Sequence, residues 1–209
     1  MREWVNIAVL VSGGGTNLQA LLDAQADGKL RSGRIALVLS NKRGAYALHR
    51  AEEAGVPTAV VTVADCGGAA EMEAEMLRRL EEARIDLIVL AGFMHILTPA
   101  FVSRYPQRML NVHPSLIPAF CGEGYYGLRV HEAALARGVR LTGATVHYVN
   151  EIPDGGEILL QKSVRVYRGD TPERLQMRVM RQAEWKLLPA AAELVAQRIL
   201  KEENGHERV

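Results

Sequence analysis

Cysteine is nearly absent from this 209-residue chain: Cys66 and Cys121 are the only two, and they stand far apart in glycine-rich surroundings with no Cys-x-x-Cys pair. Two such thiols supply neither a disulfide framework nor a metal cluster, so both are expected to be free. Charge of one sign is missing as well. Lys and Arg number 25 against 24 Asp and Glu, and a net charge of +1 leaves no basic footprint for RNA or DNA. No apolar run approaches a membrane span, and the opening residues pass straight into a strand-like segment without the basic stretch, apolar core and cleavage site of a secretory signal. Repeats and low-complexity linkers are absent too. These absences favour a cytoplasmic protein that acts on something small, with neither nucleic acid nor a membrane as partner.

What is present is a composition able to bury a core, with 48% hydrophobic and 23% charged residues. The length favours a single domain over 1–200, followed by a polar, frayed tail at 201–209. Through the first two thirds, β-branched runs alternate with amphipathic stretches, the pattern of βαβ units. Strands are expected over 5–11, 35–39, 58–63, 86–91 and 109–112, and helices over 17–26, 46–54 and 69–83, with a short one begun by Pro99. After His113 come a loop rich in Gly and Tyr, a helix over 130–137, and extended segments at 144–149 and 158–166 joined through Pro153-Asp154-Gly155-Gly156, a hairpin-like reversal. A helical region from Thr171 runs to about Leu200, with a kink expected at Pro189. The fold class is therefore α/β: an open, mainly parallel twisted sheet with helices on both faces, then a part with antiparallel segments and a long terminal helix.

Three features carry chemistry. Ser12-Gly13-Gly14-Gly15-Thr16-Asn17 follows the first strand and opens the first helix, where backbone N–H groups and the helix field favour an anion. Neither the Gly-x-x-x-x-Gly-Lys-[Ser/Thr] loop nor Gly-x-Gly-x-x-Gly is complete, so a phosphate monoester fits better than a nucleoside triphosphate or a dinucleotide. The alternative reading is a plain turn in which Thr16 or Asn17 caps the helix. Asn111 and His113, two apart at the end of an apolar strand, leave by the same face and reach the crevice beyond the carboxyl ends of the strands. An imidazole there can work near neutral pH and an amide can hold an oxyanion, though a turn cap and a satisfied buried His are the plainer readings. Asp154 is either an ordinary turn residue or a carboxylate that orients an imidazole or a water, and its two following glycines would let a ligand come close. His147 lies on the strand face opposite Val146 and Tyr148, as a buried partner or a supporting group.

These residues resemble the folate-dependent formyltransferases. The likeness is carried by the segment 11–20 with its Gly-Gly-Gly-Thr-Asn-Leu-Gln, by Ser40-Asn41, by Leu90-Ala91-Gly92-Phe93-Met94, by Asn111-Val112-His113-Pro114-Ser115-Leu116-Ile117-Pro118, and by Gly143 through Asp154-Gly155-Gly156. It covers nearly the whole chain, and the glycine turn points to the members that formylate glycinamide ribonucleotide. The resemblance implies a Rossmann-like formyltransferase fold, with 1–113 as the phosphate- and ribonucleotide-binding half and 114–200 as the folate-side half. It implies 10-formyltetrahydrofolate as co-substrate, glycinamide ribonucleotide as acceptor and no metal, in a monomer or a homodimer. By motif, Asn111, His113 and Asp154 become the catalytic trio, and Gly14, Gly15, Thr16 and Asn17 the phosphate cradle. Arg181 and Glu184 become substrate contacts on the last helical region. Phe93, Met94, His95, Ile96, Leu97, Val102 and Val149 become the folate pocket.

The sequence departs from familiar members in a longer excursion over 119–127 and in His95, where some carry arginine. The implied mechanism uses Asn111 and a protonated His113 to stabilise a tetrahedral oxyanion, with Asp154 supporting the imidazolium and placing a relay water. Two other functions compete with transfer: hydrolysis of the same carrier by a deformylase-like enzyme, and a non-catalytic nucleotide-binding regulator. The regulator would leave the trio without a common purpose.

Overall fold

The computed structural model of the protein describes residues 2–206. In chain order the elements are β1 (Val5–Val11), α1 (Thr16–Ala26), β2 (Gly33–Ser40), α2 (Tyr46–Glu53), β3 (Thr58–Val60), α3 (Val63–Cys66), α4 (Ala69–Glu82), β4 (Leu87–Leu90) and α5 (Pro99–Val102). Then follow β5 (Met109–His113), α6 (Leu128–Arg137), β6 (Leu141–Tyr148), β7 (Ile158–Arg165), α7 (Pro172–Val179), a π-helical turn Met180–Glu184 and α8 (Trp185–His206). One seven-stranded sheet results, in the order β3-β2-β1-β4-β5-β6-β7. The pairs from β3 to β5 are parallel, and β6 and β7 run antiparallel at one edge.

The alternation of β1 assigns its two faces. Val5, Ile7, Val9 and Val11 pack with α1, α2 and α8, whereas Ala8 and Leu10 pack with Met72, Met76 and Leu80 of α4 and with Phe101 of α5. Ile7, Val9 and Leu10 are fully buried, each worth about 1.5–3 kcal/mol relative to an exposed side chain. From β1 the chain steps to β2 on one side, and β4 lies on the other, so the order reverses at the β1/β4 boundary. A crevice opens there, beyond the carboxyl ends of the strands. The glycine turn after β1, the loop after β4 and the end of β5 all meet at it.

The structure corrects the expected elements in three places. The expected strand over 58–63 ends at Val60, because Thr62 caps a short helix by accepting the Asp65 N–H, which turns Val63 into its first residue. The helical region expected from Thr171 is interrupted by a π turn at Met180–Glu184, and Pro189 lies inside α8. Pro189 crowds the carbonyl four residues back, that of Trp185, where the wide turn gives way to α8. The tail expected to fray over 201–209 continues α8 to His206, held by Glu203, which reaches Arg2 at 3.4 Å and Arg108 at 3.6 Å; residues 207–209 lie outside the described part. Cys66 and Cys121 are free, and among the described residues no helix is long and apolar enough to cross a membrane.

Candidate active site

The glycine turn is packed for its shape. Gly15 sits at φ 73° as the residue before α1, and a Cβ there would lie 2.6 Å from the Ala47 Cβ and 2.7 Å from its Cα. Only glycine satisfies both the left-handed backbone and the contact with α2. No side chain caps α1, which removes the reading of Thr16 or Asn17 as a cap and leaves the first-turn N–H groups for a ligand. Arg50 of α2 adds a cation at the turn, donating from Nε to the Gly14 carbonyl at 2.9 Å. Nothing in the sequence pattern marked Arg50, since its position on α2 is settled only by the packing of that helix against the turn.

Asn17 points inward instead. Its Nδ2 donates to Glu184 Oε2 at 2.8 Å, and both side chains are buried. Asn17 Oδ1 and Glu184 Oε1 are left without partners. Burial pushes the Glu184 carboxyl up to about 7, against the lowering effect of the Asn17 bond. The pair therefore leaves one oxygen of each side chain buried and unmatched. Arg181, one turn before Glu184, stands exposed and outside the crevice lining, to which this helical region contributes Gln176, Met180 and Glu184.

At the far side of β1/β4, Asn111 and His113 project from one face of β5 onto a single carboxylate. Asn111 Nδ2 lies 3.3 Å from Asp154 Oδ1, and His113 Nδ1 lies 3.3 Å from Asp154 Oδ2. Register places His147 of β6 directly across from Asn111, and its Nε2 is 3.2 Å from Asn111 Nδ2. His147 Nδ1 donates to the Tyr148 carbonyl at 2.8 Å. His147 Nε2 also lies 3.5 Å from Asp154 Oδ1, so the ring faces both the Asn111 amide and the carboxylate.

The excursion at 119–127 closes over the same group. The Phe120 carbonyl accepts from His113 Nε2 at 2.8 Å, and the Gly122 N–H donates to Asp154 Oδ2 at 2.9 Å. The sequence singled out this loop only as a departure, because backbone groups leave no residue-type signal.

Burial lowers the His113 pKa below its ordinary value, while Asp154 and the Phe120 carbonyl act the other way without overcoming it. The neutral ring is favoured, against the imidazolium expected from sequence. Burial also acts to raise Asp154, but His147, the charge of His113 and the Gly122 N–H outweigh it and hold the carboxyl below its usual range. Asp154 itself has φ 56°, a left-handed conformation that Asp and Asn accept more readily than most residues. The two glycines after it do not make room for a ligand, as the sequence suggested. A Cβ on Gly156 would fall 1.7 Å from the Tyr148 carbonyl oxygen and one on Gly155 2.7 Å from Ile152, so the close approach is by the protein's own turn.

The crevice of about 870 Å³ brings these parts together: Gly13 to Asn17, Phe93 to Ile96, Asn111, His113, Asp154 and Glu184 all line it. A narrower recess of about 130 Å³ opens beside Asn111 and Asp154, walled by Phe93, His95, Ile96, Leu97, His147 and Val149. Val102 is buried in the core on α5 and lines neither space. Met94, Ile96, Tyr125 and Tyr126 are exposed large apolar side chains on the crevice wall, and Ile152, also exposed, lines the recess. A wider groove of about 1010 Å³ between α1 and α8 includes Thr16 and Arg50 but none of the trio. Among the described residues no group of His, Cys, Asp and Glu is arranged to hold a metal ion.

One crevice with an anion seat at one end and an apolar recess at the other suits two ligands that meet at an amide, an imidazole and a carboxylate, as in a group-transfer enzyme. The formyl transferase family model matches residues 5–192. The chain belongs to that family, within its phosphoribosylglycinamide formyltransferase branch. It is 41% identical over 178 residues to phosphoribosylglycinamide formyltransferase of Escherichia coli, covering 85% of this chain and 81% of that protein. It is 45% identical over 195 residues to the human trifunctional purine biosynthetic protein adenosine-3, covering 93% of this chain but only 19% of that longer protein. Among solved structures, glycinamide ribonucleotide transformylase 1 from Symbiobacterium toebii superposes with a TM-score of 0.87 at 39% identity, over 93% of this chain and 89% of that one.

Proposed function

We propose that the protein transfers the formyl group of 10-formyltetrahydrofolate to the amine of glycinamide ribonucleotide. The observation that carries this reading is the single crevice that joins the uncapped N-terminus of α1 to the Asn111, His113 and Asp154 cluster. Gly14, Gly15, Thr16 and Asn17 take the phosphate, with Arg50 adding charge. Glu184, on the crevice lining, suits the donor-rich ribose and glycinamide. Phe93, Met94, His95, Ile96, Leu97 and Val149 receive the pteridine, with Ile152 closing one side. Arg181 remains a candidate for a longer-range phosphate contact, and Val102 supports the recess from the core.

In the reaction the amine nitrogen bonds to the formyl carbon, the carbonyl oxygen gains charge, and the bond to the folate nitrogen breaks. Asn111 has two amide hydrogens, one toward His147 and one toward Asp154. The 3.3 Å bond to Asp154 is the longer, and it is the one an oxyanion would replace. His113 already donates from Nε2 to Phe120, so a second proton would go to Nδ1, between the ring and Asp154. The proton released by the attacking amine can thus be held between His113 and Asp154, and passed through a water to the leaving folate nitrogen.

The test is an assay of the purified protein with 10-formyltetrahydrofolate, comparing glycinamide ribonucleotide with water as acceptor. Formylated ribonucleotide is expected. Release of formate alone would overturn the reading in favour of the hydrolase.

A further inference from the structure

Helix α4 buries a carboxylate inside its apolar stripe. Met72, Met76 and Leu80 enter the core, and Glu73 beside them is only 4% exposed. A buried carboxylate is costly unless donors surround it. Here every donor comes from one irregular segment, the loop between β4 and α5. Glu73 Oε1 accepts from the Thr98 N–H at 3.0 Å and is paired with His95 Nε2 at 2.9 Å, while Oε2 accepts the Thr98 hydroxyl. Thr98 is also the N-cap of α5, where its oxygen accepts the Phe101 N–H. One carboxylate therefore sets the loop's histidine and the start of the next helix at once.

The same loop is anchored at a second point, where the Met94 N–H donates to Ser12 Oγ at 2.8 Å. Ser12 immediately precedes the glycine turn, so that anchor belongs to the ribonucleotide side. Between the two anchors lie Met94, His95, Ile96 and Leu97, and His95 lines both the crevice and the recess. With Nε2 committed to Glu73, a neutral His95 has only Nδ1, an acceptor, left for a ligand.

We propose that Glu73 is a positioning residue for the folate side of the crevice, acting through His95 and Thr98. This rests on the formyl-transfer reading above. Its carboxylate touches no substrate, and it holds the loop so that the recess walled by Phe93, His95, Ile96 and Leu97 keeps its width and presents one histidine tautomer. Loss of the anchor at the Glu73 end loosens the folate wall, while Ser12 keeps the ribonucleotide end in place.

The experiment measures kcat and both KM values for wild type, Glu73→Ala, Glu73→Gln and His95→Ala, with melting temperatures and the fraction of folded enzyme. Glu73→Ala is expected to raise the folate KM by roughly tenfold or more, since small misplacement of a binding wall is costly, and to leave the ribonucleotide KM within about twofold. Glu73→Gln keeps one acceptor oxygen and should restore part of the folate KM. Glu73→Ala added to His95→Ala should cost less than the sum of the two separate effects. Unchanged KM values with a lower folded fraction would make Glu73 a structural residue only and overturn the proposal, as would equal damage to both KM values in folded protein. If Glu73→Ala does not fold, Glu73→Gln alone decides by the same ratio of KM values. Absence of transfer by the wild type would instead overturn the formyl-transfer reading.

Discussion

Replacing Glu184 by glutamine isolates the energetic cost of a buried carboxylate that has too few donors. The native carboxyl is pushed up to about 7 by burial, from a reference value of 4.5, so the folded protein holds its proton where the unfolded chain has released it. The folded state then binds more protons than the unfolded state between those values, and stability must fall as pH rises through that window. Full loss corresponds to about 3 kcal/mol, and between about pH 5 and pH 8.5 the linkage gives roughly 2.5 kcal/mol. Wild-type curves alone would not isolate this. Burial of His131 lowers its pKa to about 4, a charge on His113 acting in the same direction, so stability also falls on the acid side as the unfolded imidazole takes up protons. Glu184→Gln leaves that contribution in both proteins, so the difference between them reports Glu184.

Urea denaturation across this range, fitted with a common slope, should show the glutamine variant gaining about 2.5 kcal/mol on wild type as pH rises. In thermal melts at high pH the same gain is on the order of 5–10 °C. Stability profiles that stay parallel from about pH 5 to pH 8.5 would refute the reasoning, because they would mean that the folded carboxyl titrates in its ordinary range. The variant should also bind glycinamide ribonucleotide more weakly. Glutamine offers one acceptor oxygen where the carboxylate offers two, and Glu184 is part of the crevice lining. A more stable and less effective enzyme is the combined result expected.

Asp154→Asn should fold normally, since asparagine accepts the φ of 56°, yet lower kcat by more than about 10² with an altered pH profile; unchanged kinetics would reduce Asp154 to a turn residue. Asn111→Ala should lower kcat by about 10²–10³ with little change in either substrate's affinity, because the lost bond matters mainly in the transition state; a rise confined to KM would contradict that. Gly15→Ala forces a side chain into left-handed backbone and against Ala47, which should destabilise the protein by about 2–3 kcal/mol and raise the ribonucleotide KM more than the folate KM. Denaturation and steady-state kinetics on the same preparation separate the two effects.

Much of the sheet was legible because buried parallel strands announce themselves as apolar runs: β1 was bounded correctly from sequence, and the other strands shifted by a few residues at their ends. The failures sit where a side chain or backbone group acts locally. Thr62 capping a helix ended a strand early, and a π turn interrupts the last helical region at Met180–Glu184. At the site, residue type and spacing pointed to Asn111 and His113, which strand periodicity put on one face, whereas Asp154 read as an ordinary turn residue until the family resemblance set it beside them. Arg50, Phe120 and Gly122 were not legible, since one reaches the site by helix packing and the other two through main-chain groups. The pair of glycines after Asp154 was misread for a related reason. Glycine marks close approach, but sequence does not say whether a ligand or the chain itself approaches.

In the proposed transfer, the resting bonds of the trio divide one proton path among three residues and the groups that hold them. Asn111 must donate, and its amide is held between His147 and Asp154, with the His147 ring anchored on the Tyr148 carbonyl. His113 must be able to take a proton without holding one beforehand, and burial supplies that by favouring the neutral ring while Asp154 stands ready at 3.3 Å. Asp154 must stay ionised in a partly buried turn, and the Gly122 N–H and the Asn111 amide supply donors to it. The excursion over 119–127 holds His113 through the Phe120 carbonyl and Asp154 through the Gly122 N–H. In the proposed transfer the loop that departs from familiar relatives meets the trio through its backbone, while Tyr125 and Tyr126 line the crevice with their side chains.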